Sequence, residues 1–136
     1  MDVAKNRLGI SEETVSFVMP VGATINMDGT SCFQTISIIF IAQVLGLDLS
    51  LAQMITIILM TTISSIGAPG IPGGSYVVMT MVLSSIGIPA HGLALILGID
   101  RPLDMLRTVV NVTGDFVVAA IVDKMNPTDI KNIKGD

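Results

Sequence analysis

The chain has 136 residues, of which 51% are hydrophobic and only 13% charged, and its mean hydropathy is +0.78. Soluble domains carry about a quarter charged residues, so this composition indicates a membrane-embedded protein and speaks against a water-soluble enzyme. The formal net charge is −4, and no nucleic-acid partner is expected. Some of the acidic residues stand inside apolar segments, where an isolated charge points to a functional site.

The first apolar block, 15–45, is too long for one straight membrane span, because about 20 residues cross a bilayer. Its middle reads "TINMDGTS", in which Asn26 and Asp28 precede Gly29. Glycine is unfavourable inside helices, and an amide and a carboxylate are costly in hydrocarbon. The pattern therefore predicts a transmembrane helix that is broken near 24–28. A soluble enzyme, with Asp28 and Asp115 as paired carboxylates for acid–base chemistry, is the rival class.

Two shorter apolar blocks, 51–66 and 75–88, flank the turn "GAPGIPGG". Each block is short for a full span, which favours the two arms of a re-entrant hairpin turning at 67–74. The alternative is a plain flexible tip. A tip at bilayer depth must satisfy its backbone N–H and C=O groups, and lining a ligand-filled cavity does this.

Basic residues lie before the first block and after the last, whereas the connections between the blocks carry none. By the positive-inside rule both ends are cytoplasmic. An even number of membrane crossings places both ends on the same side, and two crossings that flank a re-entrant hairpin meet this requirement. The second crossing is predicted as a long helix over 90–122. The basic residues outside the apolar blocks are Lys5, Arg7, Lys124, Lys131 and Lys134.

Polar residues of the last block fall on one helix face, within an arc of about 100°. They are Asp100, Asp104, Arg107, Thr108, Asn111 and Asp115. The carboxylates outnumber the arginines at this depth, so either a cation neutralises them or their pKa values rise. The planar fork of Arg107 suits a carboxylate on an anionic solute. The alternative is a set of internal ion pairs that holds helices together, since Asp104 and Arg107 are at pairing distance.

Three motifs together, "NMDGT", "SIGAPGIPGG" and "GIDRPLDMLRTVVNVTGD", resemble the dicarboxylate/amino acid:cation symporters, the glutamate transporter homologues. The resemblance runs from about Val3 to Lys124. It implies an all-α membrane protein that is the C-terminal part of a transport domain. Its parts would be a broken seventh helix (8–46), a second re-entrant hairpin (49–88), an eighth helix (89–124) and a cytoplasmic tail (125–136). The N-terminal scaffold helices and the first hairpin would be absent.

The resemblance also implies the site residues. Asp104 would bind the substrate ammonium group and Arg107 its side-chain carboxylate, with Thr30, Thr108, Asn111 and the backbone of Gly70, Ile71, Pro72 and Gly73 completing the pocket. One cation would lie between Asp115 and carbonyls of Gly22, Asn26 and Asn111. A second would use carbonyls of Thr24, Ser65, Ile66 and Ala68, and a third would use Asp28 with Asn26.

The implied function is symport of glutamate or aspartate, driven by Na⁺ or H⁺ gradients through elevator-type alternating access. No enzyme activity and no organic cofactor are expected, and the full-length parent would be a homotrimer in the cell membrane. Gln34 stands where animal relatives carry an acidic residue, which argues against proton or potassium coupling of the animal type. The alternatives are a C4-dicarboxylate:cation symporter and a non-transporting truncated membrane fragment.

Overall fold

The computed structural model describes residues 1–66 and 74–125, and this part of the chain is all-helical, as predicted. Seven α-helices follow one another, with a 3₁₀ helix at Ala90–Leu93 between the fifth and the sixth. They are α1 (Asp2–Asn6), α2 (Glu12–Ile25), α3 (Asp28–Val44), α4 (Leu51–Ser65), α5 (Gly74–Ser85), α6 (Ala94–Leu97) and α7 (Asp100–Met125).

Helices α2 and α3 are separated by only two residues, Asn26 and Met27, whose backbone angles are not helical. Helix α2 begins with a conventional cap, because the Ser11 side chain accepts a hydrogen bond from the Thr14 N–H. Helix α3 begins without one, since its N-cap residue Met27 makes no side-chain capping bond. The first N–H groups of α3 therefore need acceptors from elsewhere in the molecule.

Helices α3, α4 and α5 enclose the main apolar core. Its fully buried side chains include Ile38 and Ile41 of α3, Ile57 of α4, and Met79 and Leu83 of α5. Hydroxyl pairs also join α3 to α4, among them Thr35 and Thr61, whose oxygens are 2.7 Å apart. Within an apolar surrounding such pairs satisfy both groups and hold the helices together.

The C-terminal segment differs from the prediction of one long helix over 90–122. Residues 90–97 form only the 3₁₀ helix and α6, and the long helix begins ten residues late, at Asp100. The physical reason is Pro102, which has no N–H and would clash with the preceding turn inside a helix, so it occupies the first turn of α7. Among the described helices, α7 alone is long and apolar enough to cross a membrane, whereas α4 and α5 are shorter apolar helices.

Helix α7 packs along both α2 and α3, and so lies across the break between them. Near its C-terminal end, Ala119 joins a second buried cluster with Ala4 and Val15. The Ser11 backbone N–H also donates to Asp123 Oδ1 over 3.1 Å, which ties the start of α2 to the end of α7. These contacts fix the polar face of α7 against the α2–α3 break.

Candidate functional site

The carboxylate of Asp115 lies directly against the end of α2. Asn26 Nδ2 donates to Asp115 Oδ1 over 3.0 Å. The two helices approach closely because both contact positions are glycines: a Cβ atom on Gly22 would lie 2.4 Å from Asp115 Oδ1, and one on Gly114 would lie 2.6 Å from Asn26 Nδ2. Three of the four residues predicted for the first cation site, Gly22, Asn26 and Asp115, are therefore adjacent.

Asn111 supplies the acceptor that the start of α3 lacks. Its Oδ1 accepts a hydrogen bond from the Gly29 N–H over 2.7 Å, and its Nδ2 donates to Thr30 Oγ1 over 3.1 Å. A Cβ atom on Gly29 would lie 2.6 Å from the Arg107 carbonyl oxygen, so only glycine permits this approach. A side chain from α7 thus caps α3 from across the interface.

Arg107 is held on three sides. Its Nε donates to Asp104 Oδ1 over 2.8 Å, and its Nη2 donates to the same oxygen. Its Nη1 donates to Ser75 Oγ of α5 over 3.2 Å, and its Cζ lies 4.6 Å from the centre of the Phe33 ring. The side chain is only 7% exposed. A guanidinium fixed in this way is preorganised for a planar anion.

The charges of the site are only partly balanced. Asp104 and Arg107 form an ion pair, so the predicted alternative of an internal pair is present in the structure. Asp115 is 4% exposed, and no basic side chain of the described residues pairs with it. A buried carboxylate without a basic partner is costly. Its surroundings therefore suit a bound cation or a proton.

An open cavity of about 280 Å³ adjoins this carboxylate between α2 and α7. Its walls are mostly apolar, with Asn26 and Asp115 as the polar members. In the described part of the chain, no three His, Cys, Asp or Glu side chains group as metal ligands. A cation here would therefore depend on one carboxylate together with amide and backbone oxygens, which suit hard cations.

Other predicted site residues are exposed or form hydrogen bonds within their own helices. Thr24 and Asp28 are exposed, and Thr24 Oγ1 donates to the carbonyl of Val21 in its own helix. Thr108 is also exposed and donates to the Asp104 carbonyl over 2.8 Å. Asn26 bonds with Asp115, and no hydrogen bond joins it to Asp28.

The predicted residues of the hairpin are only partly described. Ser65 is buried, and its hydroxyl donates to the Thr62 carbonyl, while Ile66 is exposed. Ala68 and the range 70–73 lie outside the described residues. Sequence reasoning missed Ser75, which follows the glycine–proline turn as the first polar side chain of α5, and Phe33, whose signal was an aromatic ring one turn after Gly29.

Gln34 is fully buried, and neither its Nε2 nor its Oε1 has a partner among the described residues. An unpaired buried amide is unfavourable unless water, a ligand or a further part of the protein satisfies it. Gln34 is four residues after Thr30 on α3, so this unsatisfied group lies on the same side of the helix as the site.

The sequence matches the model of the sodium:dicarboxylate symporter family over residues 1–125. It is 43% identical to mouse (Mus musculus) excitatory amino acid transporter 3 over 130 residues, covering 96% of this chain and 25% of that protein. It is 45% identical to the proton/sodium-glutamate symport protein of Bacillus subtilis over 118 residues, covering 87% and 28%. Against rat (Rattus norvegicus) excitatory amino acid transporter 1 the identity is 47% over 124 residues, covering 91% and 23%.

The chain spans about a quarter of the length of these curated relatives. The resemblance predicted from the three motifs is confirmed, and the rival class of soluble enzymes is set aside. The chain with the broken α2–α3 pair and the polar face of α7 belongs to the sodium:dicarboxylate symporter family, a family of transporters and not of enzymes.

Proposed function

We propose that this chain carries most of the substrate and cation site of a symporter for acidic amino acids. The observation that carries the proposal is the ion pair of buried Arg107 with half-buried Asp104, one helical turn apart on α7, in which the arginine also contacts Ser75 of α5. The names of the relatives, which include a glutamate symport protein and excitatory amino acid transporters, support the same substrate class.

An acidic amino acid is complementary to this pair. Its ammonium group matches the carboxylate of Asp104, and its side-chain carboxylate matches the guanidinium of Arg107. On binding, the solute exchanges the intrahelical bonds between the two side chains for bonds to its own charged groups. Thr30, Thr108, Asn111 and the backbone of residues 70–73 complete the proposed pocket. Neither charge is then left unpaired in a water-poor site, where an unpaired charge is costly.

The driving cation is proposed to lie at Asp115, beside carbonyls of Gly22, Asn26 and Asn111. Asp115 is buried and pairs with no basic side chain in the described part of the chain, which supports this assignment. Helix α2 ends here, and the end of a helix leaves its last carbonyl groups without intrahelical partners. The Gly22 carbonyl accepts from the Asn26 N–H and would bind the cation through its second lone pair. Further cation sites are proposed at Asp28 with Asn26, and at carbonyls of Thr24, Ser65, Ile66 and Ala68. The ion is Na⁺ or H⁺, as in the name of the Bacillus subtilis relative.

The proposed setting is the cell membrane, with α2 and α3 as a broken transmembrane helix and α7 as a full span. Helices α4 and α5, at 15 and 12 residues, would be the arms of a re-entrant hairpin. Exposed apolar side chains, such as Phe17 on α2, Leu51 on α4 and Met105 on α7, support contact with lipid or with further protein. Cytoplasmic ends, elevator-type movement and a homotrimer belong to the same proposal, as does the assignment of the chain to the C-terminal part of a transport domain.

The test is uptake of labelled aspartate and glutamate by the intact protein in liposomes, with and without an inward sodium or proton gradient. We expect uptake that depends on a cation gradient and is blocked by excess unlabelled aspartate. Absence of uptake under every gradient would contradict the proposal and favour a non-transporting fragment.

A second candidate, C4-dicarboxylate symport, is favoured by the name of the matched family. Succinate competition distinguishes the two functions. A dicarboxylate has no ammonium group and is repelled by Asp104, so succinate should compete weakly. If succinate outcompetes aspartate, the dicarboxylate function replaces the amino acid function.

A further inference from the structure

Ser75 connects the second hairpin arm to the arginine of the proposed pocket. It lies on the first turn of α5 and is 7% exposed. Its hydroxyl oxygen accepts a hydrogen bond from Arg107 Nη1 over 3.2 Å. The other hydrogen-bond acceptor of this guanidinium in the described part of the chain, Asp104, belongs to the same helix as Arg107. Ser75 therefore provides the hydrogen bond that fixes the arginine from a different element, beside the ring contact of Phe33.

We infer that the Ser75 side chain is a specificity-determining residue, which positions Arg107 and donates its own O–H to the carboxylate of an anionic solute. This inference rests on the proposed function and adds a side-chain contact to its pocket. The class of ligand is a small amino acid with a side-chain carboxylate.

The count of donors supports this role. A guanidinium has five N–H donors, and three of them donate to Asp104 and Ser75. Among the described residues, one N–H on each terminal nitrogen is left without a partner. A serine hydroxyl that accepts from Arg107 still has one O–H to donate. Arg107 Nη1 and Ser75 Oγ lie only 3.2 Å apart, and in the described part of the chain each has one free donor. They are therefore close enough to donate to the two oxygens of one carboxylate.

These donors also explain how a neutral solute would be rejected. The Phe33 ring lies 4.6 Å from Arg107 Cζ and covers one face of the guanidinium, so the arginine cannot readily turn away. A solute without a side-chain carboxylate would leave the buried donors of Arg107 and Ser75 unpaired. Sites built around such donors discriminate strongly against analogues that lack the acceptor.

The competing explanation is that Ser75 only packs α5 against α7. Three variants of the intact protein in liposomes separate the two roles: Ser75→Ala, Ser75→Thr, and Ser84→Ala as the matched control. Ser84 lies on the same helix, is exposed, and donates to the Thr80 carbonyl of its own helix. Each variant is measured for the KM and maximal rate of aspartate uptake, and for sodium binding without amino acid.

For Ser75→Ala we expect the KM for aspartate to rise about tenfold, because one hydrogen bond to a charged group is lost. Sodium binding without amino acid and the maximal rate should stay within about twofold of the unmodified protein, because those readouts do not use the carboxylate contact. Ser75→Thr keeps the hydroxyl and should retain most of the affinity, and Ser84→Ala should behave like the unmodified protein.

An unchanged KM in Ser75→Ala would overturn the inference. So would parallel losses in aspartate affinity, sodium binding and maximal rate, since packing alone would explain them. Uptake by the unmodified protein shows whether the role of Ser75 or the proposed function has failed. If the unmodified protein takes up aspartate while Ser75→Ala has an unchanged KM, only the role of Ser75 is wrong. If the unmodified protein takes up no acidic amino acid, the proposed function itself is wrong.

Discussion

Substituting Gly22 tests whether the Asp115 carboxylate holds a cation beside the helix break. In Gly22→Ala the added Cβ would lie 2.4 Å from Asp115 Oδ1, which is about 1 Å short of the 3.4 Å where ordinary contact begins. The carboxylate must therefore move by about that distance. Because Asn26 Nδ2 donates to the same oxygen over 3.0 Å, the movement also breaks this bond.

The size of the effect follows from the atom that moves. A charge-assisted hydrogen bond contributes about 1.5–3 kcal/mol, and we expect the loss of one carboxylate contact to the cation to be of the same order. At a factor of ten for each 1.4 kcal/mol, sodium should bind about ten- to a hundredfold more weakly. Alanine is favoured over glycine in a helix by about 1 kcal/mol, which offsets only part of the lost bond, so the free energy of unfolding should fall by about 0.5–2 kcal/mol. We therefore expect a clear loss of sodium affinity together with a modest fall in melting temperature.

The assay is a sodium titration of the intact protein without amino acid, alongside a thermal melt in the same detergent. Gly98→Ala is the matched control, because a Cβ atom on Gly98 would meet nothing within 4 Å. Asp115→Asn removes the charge and should abolish sodium binding. Unchanged sodium affinity in Gly22→Ala would refute the placement of a cation at Asp115.

Three further substitutions test the site and its support. Arg107→Cys should abolish aspartate uptake in liposomes and admit small neutral amino acids, since the bidentate partner of the carboxylate is lost; undiminished aspartate uptake would contradict the assignment. Asp104→Asn should weaken aspartate and glutamate binding about ten- to a hundredfold while affecting succinate far less, as measured by competition. Ser11→Ala removes the cap of α2 and its side-chain bond to Asp123, and should lower the free energy of unfolding by about 1–2 kcal/mol in a denaturant melt; exposed Ser16→Ala is the control, and equal melts would disprove the role.

The chain contains local signals that predict part of this fold. Gly29 beside an amide and a carboxylate indicates the interruption, and helix α2 does end at Ile25. Hydropathy predicts the start of the last helix too early, because the apolar run over 90–97 conceals the helix start that Pro102 marks. Proline tolerates only the first helical turn, so it marks the start of α7 more reliably than hydropathy does.

Helix periodicity predicts only the part of the site that lies on a single helix. A polar face on α7 follows from the spacing of its residues, but which members are buried depends on how α7 crosses its neighbours. Arg107 and Asp115 are buried there, whereas Thr108 is exposed although it falls in the same arc. The hydrogen bond between Arg107 and Ser75 joins residues that are 32 positions apart in the sequence, and no local pattern predicts it.

The cap that Asn111 provides for α3 has a consequence for biosynthesis. The side chain that accepts from the Gly29 N–H is 82 residues further along the chain, so the ribosome adds it long after α3 has been made. Until then the start of α3 has an unpaired donor, which hydrocarbon does not tolerate. If α2 and α3 form the broken transmembrane helix proposed above, the middle of this pair would have to remain hydrated, or be shielded by the insertion machinery, until α7 is made. Membrane insertion of α2 and α3 would then be completed only by α7.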